Sequence, residues 1–269
     1  MTIQDSVRWL DALLELERRP VGIRFFHTKV EYEAFEAPEN QQIMPYCIVV
    51  RRAGEGKCQK IHKGHSGCMG SAMALGLAPT TPEAISGKRR EKYGAYEDMG
   101  VCRKVSRNMV YCQQDTYGLA VMPLEAFPVP PDVVLLVTKP FNGMRIAQGY
   151  AYRHGHVSEV KFAGMQAICQ ECTSLPYEED RINFSMLCSG TRMLANWKEE
   201  ELAVGMPYRI YLDVVEGLKA TVNPLERDGK KAVIEGKLTR EGLEGVAIRR
   251  GWNYDQKAYR GGKVQKEEA

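Results

Sequence analysis

The sequence lacks long apolar runs and carries almost no excess of charge. Apolar stretches such as Val133–Val137 are far shorter than the roughly 18 residues that span a bilayer, so no membrane partner is expected. The 269 residues hold 37 Lys and Arg against 34 Asp and Glu. A net charge of +3 is too small to indicate nucleic acid as a partner. The first residues contain acids and no apolar core, so no secretory signal is expected and the chain is predicted to be cytoplasmic.

Several common catalytic motifs are also missing. The sequence has no Walker loop, no GxGxxG after a predicted strand and no GxSxG, so nucleotide binding and serine hydrolase chemistry have no support. Hydrophobic residues make up 44% of the chain and charged residues 26%, as in ordinary globular proteins. This composition excludes a disordered tail protein, a collagen and a coiled coil.

The order of predicted elements indicates an α/β fold. Residues 130–140 are the clearest strand, a β-branched run between prolines that is typical of a strand buried on both faces. Further strands are predicted at 20–26, 57–61, 117–127, 157–162 and 182–187, and helices at 6–17, 67–79, 141–155, 163–175 and 188–197. Residues 46–52 fit a helix or a strand, residues 80–96 look like a loop, and 199–222 look like helix, strand and helix. Strands that alternate with helices are the signature of α/β proteins.

Internal similarity indicates two related halves, at about 20–112 and 117–222, packed around a pseudo-twofold axis. Cys68–Met73 and Cys188–Met193 both read Cys-x-Gly-x-x-Met, and helix-like runs ending at Gly54 and Gly155 are each followed fourteen residues later by a cysteine. Together the halves form a predicted family domain over residues 1–224. Residues 225–269 are interpreted as a C-terminal appendage, either an arm used in homo-oligomerisation or a solvated tail, whose last ten or so residues are predicted to be disordered.

Cysteine is the outlying count. The eight cysteines are Cys47, Cys58, Cys68, Cys102, Cys112, Cys169, Cys172 and Cys188. In a reduced compartment they are not expected to form disulfides. Some are expected to be small core residues, since free cysteine is among the most buried residue types. The remaining question is whether a subset forms a metal site.

Cys169 and Cys172 have the C-x2-C spacing that lets two thiolates hold one metal centre, and Cys188 follows after fifteen residues. A zinc ribbon would have its fourth ligand at position 191, which is Thr191, so the zinc pattern fails. Scattered cysteines suit an iron–sulfur cluster better, and Cys68 is predicted as the fourth ligand from its similarity to Cys188. If Cys68 does not bind, one iron is open for Lewis-acid chemistry. Inert buried thiols and a catalytic dithiol stay open as alternatives.

Other candidates lie nearby in sequence. Cys58, His62, His65 and Cys68 form a local set of N and S ligands compatible with zinc or with haem ligation by one histidine. Cys47 is expected to line the same cavity as Cys68. Arg192, one helical turn after Cys188, could bind an anionic substrate, and Glu171 could donate a proton; a surface salt bridge and a solvent-facing acid are the plain alternatives.

These residues resemble the domain of unknown function 169 family over about residues 5–220. The matching segments are Pro20–Phe26, Pro45–Cys47, Cys68-x-Gly70 to Leu77, Pro123–Glu125, Pro131–Leu135, Pro140 to Arg145, Cys169 and Cys188-x-Gly190-x-Arg192. The family is spread among anaerobic bacteria and archaea and has no assigned activity. The resemblance implies an anaerobic cytoplasmic setting, which favours an oxygen-sensitive cluster. Residues beyond about 225, and Cys58, Cys102 and Cys112, fall outside the family pattern.

The leading hypothesis is a protein with one 4Fe–4S cluster held by Cys68, Cys169, Cys172 and Cys188. It would perform redox or Lewis-acid chemistry on a small molecule held near Arg192, or exchange electrons with a redox partner. The alternatives are a non-enzymatic carrier of a metal or tetrapyrrole, a sensor or electron carrier, a zinc-stabilised scaffold, and a thiol enzyme with a low-pKa cysteine.

Overall fold

The computed structural model describes residues 1–251, and its centre is one six-stranded sheet. The strands are β1 (Val21–Phe26), β2 (Gln59–His62), β3 (Gly118–Pro123), β4 (Val133–Thr138), β5 (Asn183–Ser185) and β6 (Leu202–Pro207). Their order in the sheet is β2-β3-β1-β4-β6-β5, and every neighbouring pair is antiparallel. The predicted α/β class is confirmed, with an antiparallel sheet.

Helices cover both faces of this sheet. The α-helices are α1 (Ile3–Leu14), α2 (Lys29–Ala34), α3 (Tyr46–Gly54), α4 (Met69–Ala74), α5 (Pro82–Ser86), α6 (Lys88–Glu91), α7 (Met99–Arg107), α8 (Pro140–His154), α9 (Leu175–Glu179), α10 (Ser189–Ala195), α11 (Tyr208–Ala220), α12 (Val222–Leu225) and α13 (Asp228–Glu241). Short 3₁₀ turns cover Lys63–His65 and Leu124–Ala126, and a π-helix covers Ala167–Ser174. The result is a three-layer sandwich of helices, sheet and helices.

Successive side chains of each strand point to opposite faces of the sheet, so the protein has two apolar cores, one on each face. In β4, Val134 and Leu136 join a core with α1, α8 and α11, while Val133, Leu135 and Val137 face the opposite core with α3, α4, the π-helix and α10. All six β4 residues are buried, which explains the continuous apolar run in the sequence. Cys169 and Cys172 belong to the second core, and Cys47 and Cys188 pack against it.

The strand order is the one that two related halves would give. The first half supplies β2-β3-β1 and the second supplies β5-β6-β4, and the antiparallel β1–β4 pair joins them at the centre. In each half the outermost strand leads into a short helix whose N-cap is a cysteine, Cys68 before α4 and Cys188 before α10. The twofold relation itself stays a prediction.

Three segments differ from the sequence prediction. Residues 157–162 form no strand, because the Asn183 side chain bonds both the N–H and the carbonyl of Lys161 in place of a strand ladder. Residues 199–222 form β6 and α11 without a preceding helix, and the loop predicted at 80–96 contains α5 and α6. The helix predicted at 163–175 has π geometry over eight of its residues.

The described part of the predicted appendage contains α13. This helix packs against α1 and places Ile234 and Leu238 in the first core. The predicted disordered end lies outside the described residues. Within residues 1–251, no helix is both long enough and apolar enough to span a bilayer.

Candidate functional site

A cavity of about 280 Å³ lies on the second face of the sheet and contains four thiols. Its lining includes Cys47, Cys68, Cys169 and Cys188, together with residues of α6 and of the loop before the π-helix. The volume is close to the lower end of small-molecule pockets, which span roughly 300–1,000 Å³. The structure therefore brings together thiols from both halves of the chain, and Cys47 lines the cavity as predicted.

Four different elements position these thiols. Cys47 lies in the first turn of α3, Cys68 and Cys188 are the N-caps of α4 and α10, and Cys169 lies in the π-helix. Cys169 is buried and the other three are partly exposed. Because neither half of the chain supplies all four, the cavity exists only when the two halves are packed together.

Cys172 is absent from the lining of this cavity. In an α-helix, residues three apart share a face, but the wider winding of a π-helix turns them to different faces. The Cys172 thiol is fully buried and interacts with the Ser185 side chain and the Gly205 backbone N–H. A Cβ at Gly205 would lie 2.1 Å from the Cys172 carbonyl oxygen, so glycine is what lets the π-helix pack directly on β6.

Burial makes two of these thiols, those of Cys47 and Cys169, hard to ionise. Burial, reinforced by the neighbouring Cys188 and Cys68, raises the pKa of Cys47 to about 12. Burial first, and then Cys68, Cys188 and Cys47, raises the pKa of Cys169 well above the ordinary thiol value. The Cys188 sulfur accepts hydrogen bonds from the Thr191 N–H at 3.3 Å and shares another with the Thr191 hydroxyl at 2.8 Å. A bound metal centre would offset this cost of ionisation, because coordination deprotonates a thiol outright.

A buried guanidinium lines the same cavity. Arg90 is 4% exposed and donates to the Ala84 carbonyl, the Ser106 hydroxyl and the Gln166 amide oxygen at 3.2, 2.7 and 3.0 Å. It forms no ion pair with any residue in 1–251, and its buried Nε has no hydrogen-bond partner there. A buried charge without a counter-charge is costly, so this site favours an anionic group in the cavity.

Gln166 connects the walls of the cavity. Its side chain donates from Nε2 to the Gly70 carbonyl at 2.7 Å and accepts from Arg90 through Oε1. Its backbone is in the left-handed region at φ 55°, directly before the π-helix. A strained residue beside a π-helix is the kind of local irregularity that is often found at functional sites.

The two predicted catalytic side chains lie away from the lining. Glu171 is buried and accepts from the Ala163 N–H at 2.8 Å and from the Ser185 hydroxyl, and burial raises its pKa. It therefore anchors the loop that forms one cavity wall. Arg192 donates to the Met186 and Glu201 carbonyls at 3.0 Å and to the Lys198 carbonyl, and so fixes the chain around α10.

The spacing of the four thiols distinguishes classes of metal centre. Among the residues that the structure describes, Cys sulfurs do not form any group of three within 4.8 Å of one another. A single zinc ion requires a compact ligand shell with Zn–S bonds of about 2.3 Å. A multi-iron cluster places its thiolates on different metal atoms and spreads them further apart.

The predicted Cys58–His62–His65–Cys68 set is not gathered around one point. His62 and His65 instead lie beside Glu39, whose ligand atom is within 4.8 Å of both. Sequence reasoning missed Glu39 because it precedes the histidines by more than twenty residues. Cys58 is partly buried against the first core, Cys112 is partly buried against the second, and Cys102 is a core residue of α7.

Comparison with known proteins gives relatives without a described activity. A family model described as DUF169, uncharacterised ArCR, matches residues 9–217. An uncharacterised protein of Methanocaldococcus jannaschii is 25% identical over 219 residues, which cover 81% of this chain and 94% of the relative. No solved structure matches the chain.

Proposed function

The chain belongs to the family described as DUF169, uncharacterised ArCR, and on this premise we propose that it is an iron–sulfur protein. One 4Fe–4S cluster is held in the cavity by Cys47, Cys68, Cys169 and Cys188. This ligand set keeps three of the four residues expected from the sequence and replaces Cys172 by Cys47, because Cys172 lies behind the cavity against Ser185 and β6.

The observation that carries the proposal is the convergence of four thiols from four elements on one cavity. Cysteine sulfurs are the usual ligands of such clusters, and scattered sequence positions are common among them. The thiols are too far apart for a compact single-ion site, as judged over the described residues, and this spacing favours a centre that contains several metal atoms.

The charges around the cavity support the same centre. Four thiolates around an oxidised cubane leave a net charge of about two negative units. Arg90 supplies a buried positive charge that is otherwise uncompensated in residues 1–251, and the partly buried Arg89 also lines the cavity. An anionic cluster would thus convert a costly unpaired cation into a favourable charge pair.

Four protein ligands favour electron transfer or redox sensing over Lewis-acid catalysis. A Lewis-acid cluster needs one iron without a protein ligand, and here each iron of a cubane has a thiol available. We therefore place the function with redox chemistry, in which the cluster exchanges electrons with a redox partner or small molecule in an oxygen-poor cytoplasm. Lewis-acid chemistry remains the second candidate if one of the four thiols does not bind.

A set of matched serine variants tests the ligand assignment. The protein is purified without oxygen, reconstituted with iron and sulfide, and followed by its visible absorption band. Each of the variants Cys47→Ser, Cys68→Ser, Cys169→Ser and Cys188→Ser is expected to abolish or reshape the band. The variants Cys172→Ser and Cys102→Ser, both at buried positions, serve as controls and are expected to keep it. Loss of the band in Cys172→Ser together with its retention in Cys47→Ser would contradict the proposed ligand set. Stoichiometric zinc in colourless protein would contradict the proposed function.

A further inference from the structure

A second constellation of metal ligands lies outside the lining of the cysteine cavity. His62 ends β2, and His65 ends the 3₁₀ turn that follows. Glu39 is held beside β2 by a bridge to Lys60, with hydrogen bonds from the Asn40 N–H to the Lys60 carbonyl at 2.9 Å and from the Lys60 N–H to the Pro38 carbonyl at 2.8 Å. Backbone pairing therefore brings the carboxylate to the histidines.

The ligand atoms of this group lie near one another, within 4.8 Å. The Glu39 Oε1 atom lies 3.2 Å from His62 Nε2 and 3.9 Å from His65 Nε2. Tetrahedral zinc with bonds of about 2.0–2.1 Å separates neighbouring ligand atoms by roughly 3.3 Å. The His62 separation is already close to this value, and side-chain rotations must bring His65 nearer to Glu39 and set the spacing of the two ring nitrogens, since all three ligand atoms lie within 4.8 Å of one another. The histidine rings are already close, with centroids 4.0 Å apart.

We propose that Glu39, His62 and His65 form a binding site for a divalent transition metal of the zinc class. Two imidazoles and one carboxylate are a ligand set used by zinc and by non-haem iron, and they leave further coordination positions for water. Glu39 has 39% of its side chain exposed, so the open positions face solvent. The proposal is independent of the cluster proposed above, since the two sites share no residue.

Binding requires a rearrangement of protons in the two rings. The Nδ1 atoms of His62 and His65 accept from the Gly64 and His62 backbone N–H groups at 3.0 and 3.2 Å. In the metal-free chain each ring therefore carries its proton on Nε2, facing Glu39. A metal at Nε2 moves these protons to Nδ1 and displaces the two backbone hydrogen bonds. We therefore expect an affinity below that of a preformed zinc site, and detection requires a direct titration.

Cobalt(II) and zinc(II) titrations of the full chain test this site. Cobalt bound by thiolates shows strong sulfur-to-metal charge-transfer absorption, whereas cobalt bound by imidazole and carboxylate shows only weak visible bands. We expect the wild-type protein to bind one equivalent of cobalt through imidazole and carboxylate, in addition to any cobalt bound by thiolates. Glu39→Gln is expected to weaken this equivalent at least about 100-fold, since loss of an outer-shell partner alone costs roughly 10–100-fold. Thiolate absorption is expected to stay unchanged.

Glu36→Gln provides the matched control, because Glu36 is an exposed glutamate three positions away on the same segment. It is expected to bind cobalt and zinc as wild type does. His65→Gln provides a second variant in case Glu39→Gln perturbs the loop, and circular dichroism checks the fold of each. Equal metal stoichiometry and affinity in Glu39→Gln and wild type would overturn the proposal. So would a spectrum that contains only thiolate-bound cobalt.

Discussion

Replacement of Arg90 by methionine separates its electrostatic role from its packing role. Arg90 is buried, lines the four-thiol cavity and lacks an ion-pair partner in residues 1–251. Methionine keeps much of the apolar volume and removes the charge. If the cavity holds an anionic cluster, this change alters the cluster and has a smaller effect on the metal-free fold.

The expected shift follows from Coulomb's law. A unit charge and one added electron interact by about 2 kcal/mol at an effective dielectric constant of about 20 and a separation on the order of 8 Å. This corresponds to roughly 85 mV for a one-electron couple. Arg90→Met is therefore expected to lower the reduction potential by that amount, because the positive charge that stabilises the added electron is no longer present.

The same substitution should have a smaller effect on the free energy of unfolding of the metal-free protein. Arg90 loses its hydrogen bonds to Ala84, Ser106 and Gln166, each worth roughly 1.5–3 kcal/mol for a charged donor, and its contact with the Met109 sulfur. The desolvation cost of an unpaired buried cation, several kcal/mol, is relieved at the same time. The two terms oppose each other in the free energy of unfolding.

Redox titration followed by electron paramagnetic resonance measures the potential, and urea denaturation measures the fold. Arg90→Lys is the control, since it retains the charge and is expected to recover most of the potential. An Arg90→Met protein with a wild-type potential would refute the assignment of Arg90 as the counter-charge.

Two further predictions concern the scaffold behind the site. Gly205→Ala pushes a Cβ against the π-helix backbone and is expected to lower the free energy of unfolding by at least about 1–3 kcal/mol, whereas Gly236→Ala, with open space around it, should be neutral or slightly stabilising in the same denaturation assay. Burial raises the pKa of Glu171 above its ordinary 4.5, so the folded state holds this proton more tightly than the unfolded state does. As the pH rises from about 4.5 to the raised value, the wild-type protein should therefore lose stability relative to Glu171→Gln. A difference in stability between wild type and Glu171→Gln that does not change with pH would contradict the argument from the pKa. Equal free energies of unfolding for Gly205→Ala and Gly236→Ala would contradict the argument from packing.

The strands of the fold were largely predictable, and their arrangement was not. The apolar run at 133–137 predicts β4 because every side chain of that strand is buried, and the Cys-x-Gly-x-x-Met repeat predicts that Cys68 and Cys188 occupy equivalent helix starts. The antiparallel order could not be derived in this way. Strand pairing depends on long-range contacts that leave no local pattern in one sequence.

In the candidate site, too, local sequence patterns predicted some features and missed those that depend on long-range packing. Spacing alone paired Cys169 with Cys172, because helix prediction assumes α winding, and the π-helix turns Cys172 toward β6 instead. The role of Arg90 also escaped prediction, since a basic segment at 88–92 is usually a solvated face. Glu39 joins His62 only through backbone pairing with β2, which no motif records.

Iron and acid-labile sulfide analysis of the full chain, prepared and reconstituted without oxygen, tests the central claim most directly. We predict about four iron atoms and four sulfides per chain, with a visible band that bleaches on reduction. A chain that retains neither iron nor sulfide after reconstitution, while the folded state is intact by circular dichroism, would contradict an iron–sulfur function.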